Sequence, residues 1–260
     1  MKIATWNVNS LRVRLGQVLG WLADNQPDIL CLQETKLTDE NFPIEEIRQA
    51  GYDAIYAGQK TYNGVATLSR LPAAEVADAI PGLGDTEKRI IVATYGEVRV
   101  ANVYVPNGQT VGSDKYAYKL DWLTRLARYV HEQQTQYPRL ALAGDFNIAP
   151  EERDVHDPAL WQDSVLFSEK ERAAFRELLR TGLVDVFRKF EQPANSFTWW
   201  DYRQGAFRRD LGLRIDHILC SEALSRVSRA STIDRAPRGR ERPSDHAPVI
   251  AEFDIPSSPV

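Results

Sequence analysis

The sequence predicts an α/β domain in which two β-sheets pack face to face with helices on their outer surfaces. Three observations carry that expectation. Short runs rich in β-branched and aromatic residues recur along the whole chain with turn residues between them. Only a few longer stretches carry helical spacing, and neither a fixed-period repeat nor a Gly/Ser linker divides the 260 residues. Many strands with few long helices bury their apolar faces by stacking sheet on sheet and covering the outside with helices. A chain of this length closes around one substantial core, so a single domain over residues 1–260 is expected, with the last few residues as a disordered tail.

The strand runs are, in order, KIATWNV from Lys2, PDILCLQ from Pro27, GVATLS from Gly64, RIIVATY from Arg89, VRVANVYV from Val98, RLALAGDF from Arg139, RIDHILC from Arg214 and APVIAEF from Ala247. A first helix is expected from a cap at Asn9 or Ser10 through about Leu22. Tyr116, Leu120, Leu123, Ala127 and Val130 fall on one face of a second. A third should begin at Ser168, with Glu171 completing a capping box, and run to about Leu179 before Gly182 stops it. The least regular stretches, Asn107 to Lys115 and Asp201 to Gly212, are polar loops of the kind that meet substrate from a rigid scaffold.

Composition narrows the function. A formal net charge of -4 does not suit a domain held to nucleic acid by electrostatics alone. The charge is uneven, however: Arg226, Arg229, Arg235, Arg238, Arg240 and Arg242 face only Asp234 and Glu241 in the same segment. No export signal opens the chain at MKIATWNVN and no segment approaches a bilayer span. Cys31 and Cys220 sit in apolar runs and read as buried free thiols, which suits a reducing cytoplasm. With His131, His156, His217 and His246 as the only histidines and no HExxH spacing, zinc is a poor fit. A GxSxG elbow and a phosphate-cradling GxxxxGK[ST] loop are both absent.

The informative pattern lies where apolar strands end. Ile3 to Trp6 ends at Asn7 and Asn9, and Ile29 to Leu32 ends at Gln33 and Glu34. Leu140 to Ala143 runs into Gly144, Asp145, Phe146 and Asn147; Ile215 leads into Asp216 and His217; Ser244, Asp245 and His246 precede the last strand. Singly, each residue reads as a turn or strand cap, since Asp and Asn hydrogen-bond their own backbone there. Together they exceed what turns require. Carboxylates and amides with one histidine suit a hard cation bound through oxygen, so a Mg²⁺ site is expected, with Mn²⁺ as a substitute.

The blocks WNVNSLR, LQETK, YVPNG, GDFN, GLRIDH and SDHAPV, in that order from Trp6 to Val249, resemble the bacterial exonuclease III family within the endonuclease, exonuclease and phosphatase superfamily. That resemblance implies a four-layered αββα sandwich of two mixed sheets flanked by helices. It implies a nuclease of DNA repair, removing nucleotides from 3′ ends, incising abasic sites and clearing blocked 3′ termini. The partner would be double-stranded DNA with 3′ ends, nicks or abasic sites, and the protein a cytoplasmic monomer without a membrane partner. Carried over residue by residue, Glu34 resembles the principal metal carboxylate, with Asn7 beside it and Asp245 near a second or alternative position. Asp145 resembles the residue that orients or deprotonates the attacking water, and Asn147 the one that holds a phosphate oxygen near the metal. His246, held by Asp216, would contact the scissile phosphate, and Tyr104 lies near the leaving group. Asn9 stands where certain relatives carry Asp, leaving one metal or two open.

FTWWDYRQGAFRRDLGLR from Phe197 interleaves aromatics with arginines, which suits a nucleic-acid groove. Trp199 is expected to face substrate and Trp200 to be buried, with Arg203, Leu213 and Asn107 as further DNA contacts. Leu213 occupies a pocket position where some relatives carry an aromatic. Two other readings stay open: a same-fold phosphodiesterase acting on another phosphate ester, and a nucleic-acid-binding regulator without catalysis.

Overall fold

The computed structural model describes residues 1–256, so the tail expected at the last few residues lies outside the described residues. In chain order the strands are β1 (Lys2–Asn7), β2 (Ile29–Gln33), β3 (Asp53–Ala57), β4 (Val65–Ser69), β5 (Ala74–Ala77), β6 (Ile90–Tyr95), β7 (Val98–Tyr104), β8 (Leu140–Asp145), β9 (Leu183–Asp185), β10 (Trp199–Trp200), β11 (Gly212–Leu213), β12 (Asp216–Ser221), β13 (Ser228–Ile233) and β14 (Val249–Phe253). The α-helices are α1 (Leu11–Asn25), α2 (Ile44–Gln49), α3 (Asp114–Gln136), α4 (Pro158–Trp161), α5 (Glu169–Arg180) and α6 (Glu222–Ser225).

One sheet has the order β13-β14-β1-β2-β4-β3 and the other β5-β6-β7-β8-β12-β9, with β10 and β11 forming a separate ribbon. Only β1 with β2 and β7 with β8 pair in parallel within these sheets, so both are mixed. The sandwich expected from the sequence is therefore the fold observed. Ile3, Cys31, Ala141, Ile218 and Val249 pack between the sheets. Ala4 and Trp6 face the opposite way, against Val18, Trp21 and Leu22 of α1. Leu140, Leu142 and Phe146 meet Trp122 and Leu126 of α3 and Phe175 of α5. Because both faces of these strands are covered, they read as continuous apolar runs and not as alternating ones.

The helix boundaries follow the sequence with one change of mechanism. Ser10 stands at the N-cap of α1 with φ 87°, yet its side chain makes no capping bond. The first N–H groups go instead to the Glu34 and Thr35 carbonyls at 2.7 and 3.0 Å, so the helix start is tied to the end of β2. Ser168 and Glu171 do form the expected capping box on α5. Gln33 is a correction: it does not join the polar strand ends. Its Nε2 donates to Thr5 Oγ1 at 2.9 Å and to Asn102 Oδ1 at 2.8 Å, while Asn102 Nδ2 reaches the Leu32 and Ala66 carbonyls. This buried network crosses from one sheet to the other through the Gln33 and Asn102 amide donors, while Gln33 Oε1 has no hydrogen-bond partner in it.

Candidate active site at one edge of the two sheets

Strand direction brings the polar ends together. Tyr104 pairs with Asp145 across parallel β7 and β8, and Asp216 pairs with Asp145 across antiparallel β8 and β12. The three therefore lie side by side at one edge of the second sheet. On the first sheet, Asn7 ends β1, Glu34 follows parallel β2, and His246 precedes β14, which runs antiparallel to β1 and so begins at the same edge. The glycine of GDFN is required by space: a Cβ on Gly144 would lie 1.9 Å from the Val103 carbonyl oxygen.

Asn7 joins the two sheets. Its Nδ2 donates to Glu34 Oε1 and to Asp145 Oδ2, both at 2.9 Å, and its Oδ1 accepts the Asn9 N–H at 2.9 Å. One ligand atom each from Glu34, Asp145 and His246 lies within 4.8 Å of the others. Two carboxylates so close repel, and a cation relieves that repulsion. One cation is already drawn in: Lys36 Nζ sits 2.8 Å from Glu34 Oε2 and donates to Asn9 Oδ1 at 2.5 Å. The residues fit a divalent metal held by oxygen, with Glu34 and Asp145 supplying the charge. Asp245 stands outside that cluster, its Oδ1 accepting Asn9 Nδ2 at 2.9 Å and its Oδ2 accepting Trp199 Nε1 at 3.0 Å.

His246 stands between two carboxylates. Its Nδ1 bonds Asp216 Oδ2 at 2.9 Å, and its Nε2 lies 3.8 Å from Asp145 Oδ2. Burial opposes charge on this imidazole, but Asp216, Asp145 and Asp245 outweigh it and raise the group to about 10. The Asp145 carboxyl is pushed up to about 7 by burial, against the pull of the His246 imidazolium and the Asn7 and Asn147 donors. Burial, then Glu34 and Asp145, hold the Tyr104 phenol well above its ordinary value, so it remains a donor, hydrogen-bonded to Glu34. Asn147 sits at φ 50°, its N–H donating to Asp145 Oδ1 at 2.8 Å and its Oδ1 accepting Asn107 Nδ2 at 3.1 Å.

Beside this centre lies a cavity of about 350 Å³ lined by His156, Leu160, Trp161, Trp199 and Arg203 among others. Trp199 is half-buried and meets Trp161 edge-on at 6.4 Å, whereas Trp200 is fully buried, as the sequence suggested. Arg203 is exposed and clamped to Asp201 at 2.7 Å. Leu213 departs from the expectation of a DNA contact. It is 0% exposed, paired with Trp199 and packed with Val155, Phe167 and Ile215 behind the ribbon. The arginine-rich segment is also less free than its charge suggests. Arg226 pairs with Glu222, Arg229 with Asp254, Arg235 with Asp210 and Arg240 with Asp24, while buried Arg238 stacks over Tyr202 and Phe207.

Two participants carried no assignment from the sequence. Lys36 lies inside the LQETK block, so its proximity to Glu34 was readable in principle. Lys119, buried beneath Asn107 and Asn147, was not, because a lysine on a helix reads as a solvated residue. Both cysteines are buried and free, and no helix among the described residues is long and apolar enough to cross a membrane.

Residues 4–246 match the Endonuclease/Exonuclease/phosphatase family. The chain is 35% identical to Haemophilus influenzae exodeoxyribonuclease III over 266 residues, covering 97% of this chain and 100% of that protein. Among solved structures, the 3′ phosphatase NExo from Neisseria, bound to a product DNA hairpin, superposes with a TM-score of 0.96 at 47% identity, covering 98% of this chain and 100% of that one. An AP endonuclease from Archaeoglobus fulgidus superposes with a TM-score of 0.94 at 41% identity over 98% of this chain and 100% of its own.

Proposed function

The chain belongs to the endonuclease/exonuclease/phosphatase family, and from that premise we propose that it is a metal-dependent DNA phosphodiesterase of base-excision repair. It degrades double-stranded DNA from 3′ ends, incises at abasic sites and clears blocked 3′ termini. Relatives named as an exodeoxyribonuclease, an AP endonuclease and a 3′ phosphatase support that range. The observation that carries the reading is the convergence of Glu34, Asp145 and His246 within 4.8 Å, bridged by Asn7 and flanked by Tyr104.

In this reaction the oxygen of water attacks phosphorus opposite the 3′ oxygen, and the bond to that oxygen breaks. Asp145 takes the proton of the attacking water, its carboxylate held in place by the Asn7 amide and the Asn147 N–H. His246, kept protonated by Asp216, donates from Nε2 to a phosphate oxygen. Asn147 and Asn107 hold the phosphate from the other side, and Tyr104 donates near the leaving oxygen. A Mg²⁺ ion, for which Mn²⁺ substitutes, would be held by Glu34 and Asp145 with Asn7 beside them, and when bound it neutralises charge on the phosphoryl and leaving oxygens. Asp245 orients Asn9 and Trp199 at the rim of that site. Trp199 offers a face to an unpaired base or bare sugar. The buried free thiols support a reducing cytoplasm as the place of action.

The test uses duplexes carrying a recessed 3′ end, a 3′ phosphate or a central abasic analogue, with Mg²⁺ and then with chelator. Metal-dependent cleavage that Asp145→Ala abolishes is the expected result. A folded, DNA-binding protein that leaves every duplex intact with Mg²⁺ would mean a non-catalytic binding protein instead.

A further inference from the structure

Lys119 lies in the second turn of α3 and is 0% exposed, as is Glu171 on α5. Its ammonium has three acceptors: the Asn147 carbonyl at 2.7 Å, the Asn107 carbonyl at 3.1 Å and Glu171 Oε1 at 2.5 Å. Those three bonds satisfy all its donors. Glu171 is equally satisfied, accepting the Leu166 and Ser168 N–H groups at 3.1 Å each and the Ser168 hydroxyl at 2.5 Å. Burying a charged pair costs several kcal/mol, and an apolar pair at such a site is often at least as stable. Its helix neighbours Tyr116, Trp122 and Leu123 are all buried, so packing on this face of the helix would suit an apolar residue.

The two carbonyls supply the reason. Asn147 is held at φ 50°, and neither its carbonyl nor that of Asn107 is paired with a main-chain N–H among the described residues. The same two residues are joined at the front by the 3.1 Å bond from Asn107 Nδ2 to Asn147 Oδ1. An ammonium behind and an amide bond in front lock the two loops in one relative position.

We infer that Lys119, braced by Glu171, is a positioning residue that sets Asn147 and Asn107 at the distance one phosphate requires; this rests on the phosphate-binding reading of Asn147 given above. Lys119 touches neither substrate nor metal. It acts through the main chain of two residues that do touch the phosphate, and a displacement of about 1 Å at such a residue costs about 100-fold in rate.

The experiment replaces the pair as a unit, Lys119→Met with Glu171→Gln, which leaves no buried charge and keeps one acceptor oxygen for the Ser168 N–H and hydroxyl, while the Leu166 N–H loses its acceptor. Expected are cooperative unfolding, a kcat on a 3′-phosphate duplex lower by about 100-fold, and a KM changed by less than about threefold. The decisive readout is a cycle with Asn147→Ala. If Lys119 acts through Asn147, the pair replacement costs little or nothing further in that background. An equal loss in both backgrounds, or a folded pair variant with wild-type kcat, overturns the proposal. Full activity of Asn147→Ala alone sinks the reading of Asn147 and the proposal with it, a pattern distinct from the other two. Should the methionine version not fold, Lys119→Gln with Glu171→Gln takes its place under the same readings, the shorter reach of its neutral amide giving an intermediate kcat.

Discussion

The two flanks of the catalytic centre offer different things to a nucleic acid. On one side Leu160, Trp161 and Trp199 line a cavity whose walls are largely aromatic and aliphatic. On the other, Gln59, Asn63, Asn107, Lys115 and Arg89 line a groove of about 380 Å³. Arg89 lies 4.9 Å above the Tyr104 ring and bonds its carbonyl at 3.3 Å, so that groove is continuous with the centre. An apolar cavity suits the face of an unpaired base or a bare sugar; a polar groove suits phosphates. The centre between them serves either flank. Substitutions at the centre should therefore reduce turnover on every substrate alike, and substitutions at each flank should separate the substrates.

The largest effect is expected at Asp145, where the two flanks lose their common chemistry. Asp145→Asn should lower kcat by about 1,000-fold or more on abasic, recessed and 3′-phosphate duplexes equally. Stability should move the other way. With the folded carboxyl raised to about 7, ionising it in the folded protein is unfavourable, so the wild type loses stability as pH rises from the unfolded value of about 4 to 7. In chelator the variant should melt higher than wild type at pH 8, with the gap closing toward pH 4. Equal melting temperatures at pH 8 would argue against the buried, unfavourable carboxylate.

Next comes Asp216→Asn. Asp216 is the leading attraction that keeps His246 charged up to about 10 against burial. Without it the imidazolium loses its proton at lower pH, so the alkaline limb of kcat/KM should shift downward and turnover should fall by about 100-fold. An unmoved alkaline limb would remove His246 from its role as phosphate donor.

Much of this centre was legible in the sequence because core strands have no structural reason to end together in carboxylates and amides. Asn7, Glu34, Asp145, Asp216 and His246 could be grouped before any geometry was known. What the sequence did not reveal depends on pairing across long separations. Gln33 belongs to the inter-sheet network because Asn102 of the other sheet faces it. Leu213 is buried because β11 folds back onto β10. Arg235 and Arg240 are neutralised by Asp210 and Asp24, which no local window contains. The short strands β9, β10 and β11 exist only through their partners, so propensity did not mark them. Lys119 contradicts the ordinary surface preference of lysine, and only the two carbonyls above it explain why.

At the apolar flank, Trp199→Ala should cost about 1–3 kcal/mol of binding where an unpaired base or sugar stacks on the indole. Binding of an abasic duplex, measured in Ca²⁺ to hold back turnover, should weaken by about tenfold or more, while 3′-phosphate removal changes by less than about threefold. The indole also fixes Asp245 through its 3.0 Å bond, so Trp199→Phe is the sharper variant. It keeps a stacking face and loses only that bond; retention of abasic binding by Phe but not Ala assigns the effect to stacking.

The smallest effect belongs to the polar flank. Lys115 is exposed in the groove and has no ion-pair partner among the described residues, unlike Arg203 on the other side, whose charge is already spent on Asp201. A free lysine that meets a phosphate releases a counterion; one that is already paired contributes less. Lys115→Ala should therefore weaken duplex binding severalfold at low salt and reduce the slope of log K against log salt by about 0.9. Arg203→Ala should change that slope by much less. The loss at Lys115 should be the same for abasic, recessed and intact duplexes, since a phosphate contact carries no lesion information. If it instead fell on the abasic duplex alone, the division of labour between the two flanks would be wrong, and lesion recognition would extend across the centre into the polar groove.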